Sequence, residues 1–337
     1  MMEQKKYLAP GSAALAPMAG VTDMPFRLLC FEQGCDWATT EMVSARGYLC
    51  GHKKSRAVRE LLRRDPAEGQ VALQIFGHEP DALYEAARML SEQGFCGIDI
   101  NMGCPAPKIV GNGDGSALLK DLAAARQAIA AVRRATELPL TVKMRLGWDE
   151  EHIVADELAH ICQEEGVDAI TVHGRTRVQF YSGRADWDAI ARVKASVRIP
   201  VFGNGDLNTA EEALRRMRES GVDGVSIARG ATGNPWIFSR FARLKQGLPA
   251  PEPDDEERIA AAMRHARMLA EWKGEAVAIR EMRKHAAWYT RGMYGAAQMR
   301  PALYAAETLE GLQAAFNQVL ERTREQKMNE SLDKLHF

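Results

Sequence analysis

Short apolar runs alternate with longer amphipathic stretches over residues 13–238 of this chain. Eight of the runs predict strands, at residues 14–18, 37–42, 71–76, 97–101, 140–144, 169–173, 200–203 and 224–228. Several runs are continuously apolar, which is typical of strands that are covered on both faces of a parallel sheet. The stretches between them have the apolar spacing of helices, for example residues 81–93, 118–136, 151–165 and 210–220.

The alternation of strands and helices predicts successive βαβ units. Glycines stand at four predicted helix ends, where a left-handed residue commonly stops a helix: Gly34, Gly94, Gly166 and Gly221. Eight units in roughly 225 residues fit a closed barrel better than an open sheet. A doubly wound sheet is the alternative, but no glycine-rich dinucleotide turn follows the first predicted strand. The predicted fold class is therefore α/β, a (β/α)8 TIM barrel.

The C-terminal part of the chain has a different pattern. Residues 247–255 contain three prolines followed by acidic residues, so this segment cannot continue a helix and is predicted to be a linker. Three helical stretches follow, at residues 256–272, 275–290 and 301–323. We therefore predict a catalytic barrel over residues 1–246, the linker over 247–255 and a small C-terminal all-helical domain over 256–337.

Composition narrows the class of protein. The chain has 337 residues, of which 46% are hydrophobic, enough for a barrel and a small second domain. Its six cysteines form no Cys-x-x-Cys pair, and a chain of this size needs no disulfides, so we expect a reducing compartment. No signal core and no run of about 18 apolar residues is present. These features predict a soluble cytoplasmic protein without membrane contact, and we expect a monomer.

Basic residues are concentrated in the predicted tail, although the net charge of the whole chain is −1. Residues 258–300 contain nine lysines and arginines against three glutamates, a local net charge of +6. A segregated basic stripe with aromatic residues between its members indicates an RNA backbone contact. Four of its members are predicted to make that contact: Arg280, Arg283, Lys284 and Arg291. We expect Trp288 and Tyr289 to pack in the helical core behind the stripe.

Polar side chains stand at the ends of several predicted strands. The carboxyl ends of barrel strands meet at one rim, where the active sites of this fold form. A barrel with only a packed core would not place such groups on apolar strands, because each one costs free energy unless it is satisfied. The set comprises Gln74, Asn101, Cys104, Lys143, Arg145, His173, Arg175, Asn204, Asp206 and Arg229.

Part of this set matches the requirements of an anionic, planar cofactor. Residues 203–206 and Arg229 follow the seventh and eighth predicted strands, the usual phosphate site of the fold. Arg229 can bind a phosphate through two parallel N–H bonds. Lys143 and Gln74 suit the N1–C2=O edge of an isoalloxazine ring, where negative charge gathers on reduction. Each feature alone has an ordinary structural explanation, but together, at the ends of successive strands, they predict a flavin.

Cys104 differs from the other cysteines. It lies just past a predicted strand, in a Gly-Cys-Pro sequence that precedes the glycine-rich loop 111–115. Loops past barrel strands carry chemistry and can close over a substrate. A thiol stays protonated near neutral pH and can act as a general acid. Cys30, Cys96 and Cys162 are expected to be inert core residues.

Several segments resemble the tRNA-dihydrouridine synthase family. The opening signature is Pro-Met-Ala-Gly-Val-Thr-Asp at 17–23, with Pro-Phe-Arg at 25–27. Further segments similar to that family are 101–108, 115–119, 142–145, 172–176, 204–206, 234–238 and, in its helical C-terminal domain, 283–289. The match runs in the family's order over nearly the whole chain. Among the subgroups, the chain is most similar to the bacterial type once described as a nitrogen-regulation protein.

The resemblance implies FMN bound in the barrel, NADPH or NADH as a transient reductant, and tRNA as the partner. It implies hydride transfer from reduced flavin to C6 of uridine and proton donation by Cys104 to C5. The flavin contacts that it implies are Pro17, Met18, Ala19, Gln74, Lys143, His173, Asn204, Gly205, Asp206, Ala228 and Arg229. Ala228 is a departure, because the family usually has glycine there and a methyl group would crowd the phosphate loop.

A stacked uracil must be flipped into the barrel mouth, at a cost that phosphate contacts repay. Lys108, Arg145 and Arg175, around the mouth, are predicted to extend the basic track of the tail. Two other functions stay open from the residues alone. An FMN barrel enzyme that acts on a free pyrimidine would have no use for the basic tail. A non-catalytic RNA-binding protein would have no use for Cys104 and Lys143.

Overall fold

Parallel pairing runs through every strand of the sheet and closes it on itself. The computed structural model describes residues 7–51 and 55–333. Within these residues the strands are β1 (Ser12–Leu15), β2 (Trp37–Thr39), β3 (Val43–Ser44), β4 (Gln70–Phe76), β5 (Gly97–Met102), β6 (Leu140–Arg145), β7 (Ala169–His173), β8 (Val201–Asn204) and β9 (Gly224–Ile227). Because β2 pairs with both β1 and β4, the sheet is a closed barrel.

The barrel has eight strand positions, since β2 and β3 share one of them. Both strands pair with β4, and the chain leaves the ladder between them. The sequence predicted a single strand over residues 37–42 at this place. The predicted TIM barrel is confirmed, and each of the eight predicted runs corresponds to one strand position.

Helices cover the outside of the barrel. In the described residues they are α1 (Met24–Glu32), α2 (Ala45–Leu49), α3 (Arg56–Leu61), α4 (Pro80–Leu90), α5 (Pro107–Val110), α6 (Leu122–Ala135), α7 (Ala155–Glu164), α8 (Trp187–Ser196), α9 (Ala210–Ser220) and α10 (Ile237–Lys245). The four glycines predicted at helix ends all have positive φ angles, between 68° and 83°. Left-handed backbone therefore stops these helices, as the sequence indicated.

Two predicted helices begin later than expected. The stretch 118–136 is divided at Asp121, whose carboxylate accepts a hydrogen bond from the Ala124 N–H and caps α6. The stretch 151–165 becomes helical only at Ala155, because Ile153 forms a β-bridge with Gly147. In both places a local hydrogen bond competes with the helical pattern.

Up to residue 333, where the described part of the chain ends, four helices follow the barrel, one more than predicted. They are α11 (Asp255–Lys273), α12 (Glu275–Tyr289), α13 (Ala296–Ala305) and α14 (Leu309–Asp333). The prediction of one helix over 301–323 was wrong. Ala306 is extended and ends α13, and the Thr308 hydroxyl accepts a hydrogen bond from Gly311 N–H at the start of α14. Among the described residues, no helix is long and apolar enough to cross a membrane.

The barrel and the four tail helices have separate hydrophobic clusters that meet at α1. The Phe26 ring lies 5.7 Å from the His265 ring and 5.9 Å from the His285 ring, centroid to centroid. Both imidazoles are buried, and neither ring nitrogen of His265 has a hydrogen-bond partner within the described chain. Burial lowers the pKa of His265 to about 4. The interface therefore encloses a neutral imidazole.

Acidification is expected to destabilise the fold through His265. The pKa of His265 is about 4 in the folded chain, below the ordinary 6.5, so unfolding takes up a proton between these two values. The free energy of unfolding should fall by about 2 kcal/mol between pH 7 and pH 5 from this residue. The variant His265→Phe should lose less stability over that range than the parent chain, measured by urea unfolding.

The exposed His160 on α7 offers a matched control for that comparison. His160→Phe should keep the parental dependence of unfolding on pH. An equal loss of stability in His265→Phe and the parent would contradict the assignment.

Candidate active site at the barrel mouth

A cavity of about 520 Å³ opens at the carboxyl ends of the barrel strands. Its volume is in the range of cofactor and small-molecule sites. Barrel closure brings to its wall all the residues predicted to contact flavin, together with the predicted proton donor: Pro17, Met18, Ala19, Gln74, Cys104, Lys143, His173, Asn204, Gly205, Asp206, Ala228 and Arg229. These predicted residues come from seven of the eight strand positions or the loops after them, while the individual role of each stays a prediction.

Lys143 supplies a cation at the floor of the cavity. Its Nζ donates to Asn204 Oδ1 at 3.4 Å, and Asn204 Nδ2 donates to the Ser226 carbonyl at 2.6 Å, which fixes the orientation of the amide. Burial, followed by the charge of Arg145, lowers the pKa of Lys143 to about 8. The ammonium is therefore charged at neutral pH and becomes neutral under mildly alkaline conditions.

His173 lies beside this cation in its neutral form. Burial and then the charge of Lys143 hold the pKa of His173 well below its usual range. Its Nε2 is 3.4 Å from Arg175 Nη1. Because a guanidinium group only donates, Nε2 accepts and the ring proton is placed on Nδ1. His173 is thus a neutral imidazole of defined tautomer.

The turn after β8 has a backbone that glycine usually adopts. Asp206 has φ +53°, and its carboxylate accepts from Arg175 Nη2 at 2.8 Å and from Ala185 N–H at 2.7 Å. Although burial acts to raise the pKa of Asp206, these two donors lower it overall. Arg229 Nη2 is 3.5 Å from the same carboxylate, and its guanidinium is 4.9 Å from the centre of the Tyr181 ring. Arg229 and the strained backbone at Asp206 therefore lie together at the predicted phosphate site.

Cys104 lies in the loop after β5, and hydrogen bonds hold its backbone at both the N–H and the carbonyl. Its N–H donates to Asn101 Oδ1 at 2.9 Å. Its carbonyl accepts from both the backbone N–H and the hydroxyl of Ser116, at 3.1 and 2.8 Å. Gly115 has φ +60°, and a Cβ there would lie 3.0 Å from the Cys104 carbonyl. The glycine-rich loop therefore folds back closely under Cys104.

Two arginines predicted to bind RNA are buried, and one of them, Arg145, also lines the cavity. Arg145 is 2% exposed and Arg175 is 1% exposed. Their guanidinium groups donate to backbone carbonyls of the loops that follow β5 and β7. These bonds hold both guanidinium groups against the loops, because they occupy several of the N–H donors of each arginine. Lys108 is exposed on α5.

The basic stripe of the tail divides into residues with different surroundings. Arg280 and Arg283 are exposed on α12. Lys284 donates to the carbonyl of Gly20 in the loop after β1. Arg291 lines the cavity.

Three aromatic residues line the mouth of the cavity, and none of them was predicted there from the sequence. Trp288, expected in the core, is half-buried and lines the cavity, whereas Tyr289 is buried as expected. Phe180 and Tyr181 also line the cavity and are 41% and 50% exposed. Two adjacent aromatic residues in a polar loop past a barrel strand were the available signal.

Comparison with known proteins identifies the family of this chain. A family model described as "Dihydrouridine synthase (Dus)" matches residues 14–327. A "Probable tRNA-dihydrouridine synthase" of Rickettsia conorii is 42% identical over 290 residues, which are 86% of this chain and 87% of that relative. A "tRNA-dihydrouridine synthase B" of Pseudomonas putida is 40% identical over 305 residues, which are 90% of this chain and 89% of that relative.

Among solved structures, histamine dehydrogenase from Rhizobium sp. 4-9 has a TM-score of 0.53 and 12% identity to this chain. The alignment covers 78% of this chain and 50% of that protein, and at this identity it shows the fold alone. The family match, by contrast, extends through both the barrel and the tail helices. This chain therefore belongs to the dihydrouridine synthase family, as its sequence motifs indicated, and is a flavin-dependent oxidoreductase.

Proposed function

We propose that this protein reduces the C5=C6 bond of specific uridines in tRNA, with FMN as its flavin and NAD(P)H as the reductant. The observation that supports this most is that Cys104, Lys143 and Arg229 line one cavity, whose wall also includes Trp288 and Arg291 of the tail. The names of relatives at about 40% identity agree with a tRNA substrate.

The side chains of the cavity fit FMN. Arg229 and the turn at Asp206 offer donors to a phosphate, while Lys143 and Gln74 offer a cation and an amide to the polar edge of the ring. Ala228 replaces the family's usual glycine beside Arg229 and also lines the cavity. When bound, the flavin supplies the hydride for the uracil ring.

Cys104 is the proton donor in this proposal. Uracil C6 accepts hydride because its double bond is conjugated to the C4 carbonyl, and C5 then needs a proton. The Cys104 N–H donates to Asn101 and its carbonyl accepts from Ser116, and these two bonds hold the backbone, so the thiol is presented from a fixed wall of the cavity. Neutral His173 cannot compete as a cationic acid, since burial keeps its pKa low.

Aromatic residues at the rim of the cavity are suited to bind a uracil that has been flipped out of the RNA stack. Tyr181, Phe180 and Trp288 offer aromatic faces at the mouth, which a flipped pyrimidine or its neighbours can stack on. The exposed cations Arg280 and Arg283 then bind phosphates of the RNA backbone. The division into a barrel of residues 1–246, a linker and an RNA-binding tail of residues 256–337 belongs to this proposal, with Lys108 and Arg291 as further RNA contacts.

The decisive test is the dihydrouridine profile of tRNA from cells with and without this protein. We expect dihydrouridine to disappear from defined positions without it and to return when purified protein, FMN and NADPH are added to that tRNA. Turnover of free uracil in the absence of RNA would instead support a small-molecule enzyme.

Replacing Cys104 with alanine should separate flavin chemistry from product formation. Loss of a general acid typically costs 10²- to 10⁴-fold, so dihydrouridine formation should fall by at least about a hundredfold. Flavin binding and NADPH oxidation should be nearly unchanged, because alanine keeps the backbone contacts of this loop. Cys50→Ala, at an exposed cysteine, is the control and should keep normal turnover. Product formation by Cys104→Ala at the normal rate would refute the assignment.

Charge reversal on α12 should weaken RNA binding. The double variant Arg280→Glu and Arg283→Glu removes two exposed cations, so the slope of log K against log salt should decrease in size by about 1 to 2. Lys284 is left intact, since it supports the loop at Gly20. Binding is measured by fluorescence anisotropy of labelled tRNA over a salt series.

The matched control reverses two exposed arginines on barrel helices, Arg134 on α6 and Arg192 on α8. This control should bind tRNA with the parental salt slope. A parental slope in the α12 variant as well would count against an RNA contact there.

A further inference from the structure

A chain of hydrogen bonds crosses the barrel interior and starts from a carboxylate that the proposed reaction does not use. Asp99, in the middle of β5, is 4% exposed. Its Oδ2 accepts from Gln74 Nε2 at 2.7 Å, and Gln74 Oε1 accepts from Asn101 Nδ2 at 2.9 Å. Asn101 Oδ1 then accepts from the Cys104 N–H at 2.9 Å. The chain therefore connects a buried charge to the backbone of the proposed proton donor.

Strand register brings these groups together. Asp99 is opposite Gln74 on β4 and opposite Thr141 on β6, while Asn101 is opposite Lys143. Because side chains alternate along a strand, residues 99 and 101 share the interior face of β5. Thr141 Oγ1 donates to the second oxygen of Asp99, so both carboxylate oxygens have donors.

The Asp99 carboxylate determines which end of each amide donates and which end accepts along this series of hydrogen bonds. An ionised carboxylate only accepts hydrogen bonds, so Gln74 must turn its NH₂ group toward Asp99 and its oxygen toward Asn101. Asn101 must then present its NH₂ group to Gln74 and its oxygen to the N–H groups of Gly103 and Cys104. If both amides were flipped, the Gln74 oxygen would face the Asp99 carboxylate, and the Asn101 NH₂ group would face the Cys104 N–H. Both arrangements leave buried groups without a hydrogen bond, which costs free energy.

The Asp99 carboxylate also interacts electrostatically with Lys143, which lines the cavity. Burial raises the pKa of Asp99 to about 6, while donors from Gln74 and Thr141 and the charge of Lys143 act in the opposite direction. Asp99 in turn helps to keep Lys143 protonated, against the effects of burial and of Arg145. At neutral pH, Asp99 is therefore the buried counter-charge of the cation that faces the cavity.

We propose that Asp99 is a positioning residue for uridine reduction, a role that rests on the proposed function. It orients the amides of Gln74 and Asn101, and through them the backbone of Cys104, and it supplies the counter-charge of Lys143. Asp99 itself touches neither flavin nor RNA in this arrangement. Asp99 fixes which end of the Gln74 amide is turned away from it, and it favours the protonated form of Lys143. Both groups face the flavin in this proposal.

Two variants separate the two parts of this role. Asp99→Asn keeps an oxygen that can accept from Gln74 but removes the charge, so flavin binding should weaken at a pH about one unit lower than in the parent. Asp99→Leu also removes the acceptor and frees both amides to flip, so kcat should fall about tenfold to a hundredfold with KM for tRNA unchanged. FMN binding to the apoprotein is followed by fluorescence quenching from pH 6 to pH 10.

Thr39→Val is the matched control, because Thr39 is another buried polar residue of the barrel strands, lies opposite Ala72 on β4, and is outside the hydrogen-bonded chain. It should keep both the parental pH dependence of FMN binding and the parental kcat. An Asp99→Asn protein with parental pH dependence would overturn the counter-charge role. An Asp99→Leu protein that folds and keeps kcat within twofold would overturn the orienting role.

Should Asp99→Leu not fold, the Asp99→Asn titration still decides whether Asp99 acts on Lys143. That titration uses FMN alone. It therefore stays informative even if the parent protein forms no dihydrouridine in tRNA, which is the result that would refute the proposed function.

Discussion

Closure of the sheet, by pairing of β2 with both β1 and β4, is the constraint on which the site depends. A closed parallel barrel turns every second strand residue toward an interior that water does not fill, so each polar group there needs a protein partner. Asp99, Gln74, Asn101 and Thr141 meet this demand by binding one another. The same closure brings strand ends that are far apart in sequence to one rim. The packed interior, in which these buried polar groups are hydrogen-bonded to one another, thus supports the polar residues at the rim.

The electrostatics of the rim follow from how its charges are paired. Asp206 holds Arg175 through two hydrogen bonds, and the charge of the buried Asp99 acts to raise the pKa of Lys143. Arg229, whose side chain is 53% exposed, keeps most of its donors available. The carboxylates therefore fix the cations in place without neutralising the face toward the cavity. Fixed positive charge of this kind stabilises an anion without reorganisation, which suits the proposed binding of a phosphate and a reduced flavin.

The tail helices are joined to this rim by more than apolar contact. Gly20, in the loop after β1, donates its N–H to Glu41 at 2.5 Å and accepts from Lys284 of α12 at its carbonyl. Lys273 of α11 bonds to Asp23, at 2.9 Å, where α1 begins. The loop that lines the cavity next to β1 is therefore held partly by the tail. A cation of the basic stripe supports the cavity wall, so charge alone is a poor guide to which lysines and arginines meet RNA.

The sequence by itself determined the alternation of strands and helices, the eight strand positions and the rim residues, because periodicity reports burial and parallel strands end at one edge. Its motifs also identified the family. The tertiary structure alone decided that Arg145 and Arg175 are buried, that Trp288 lines the cavity and that Asp99 is hydrogen-bonded to Gln74, which in turn binds Asn101. These outcomes depend on contacts between segments far apart in the chain. A local pattern of polar and apolar residues does not specify which distant group satisfies a given donor, so burial and partners emerge only when the barrel closes and the tail packs against it.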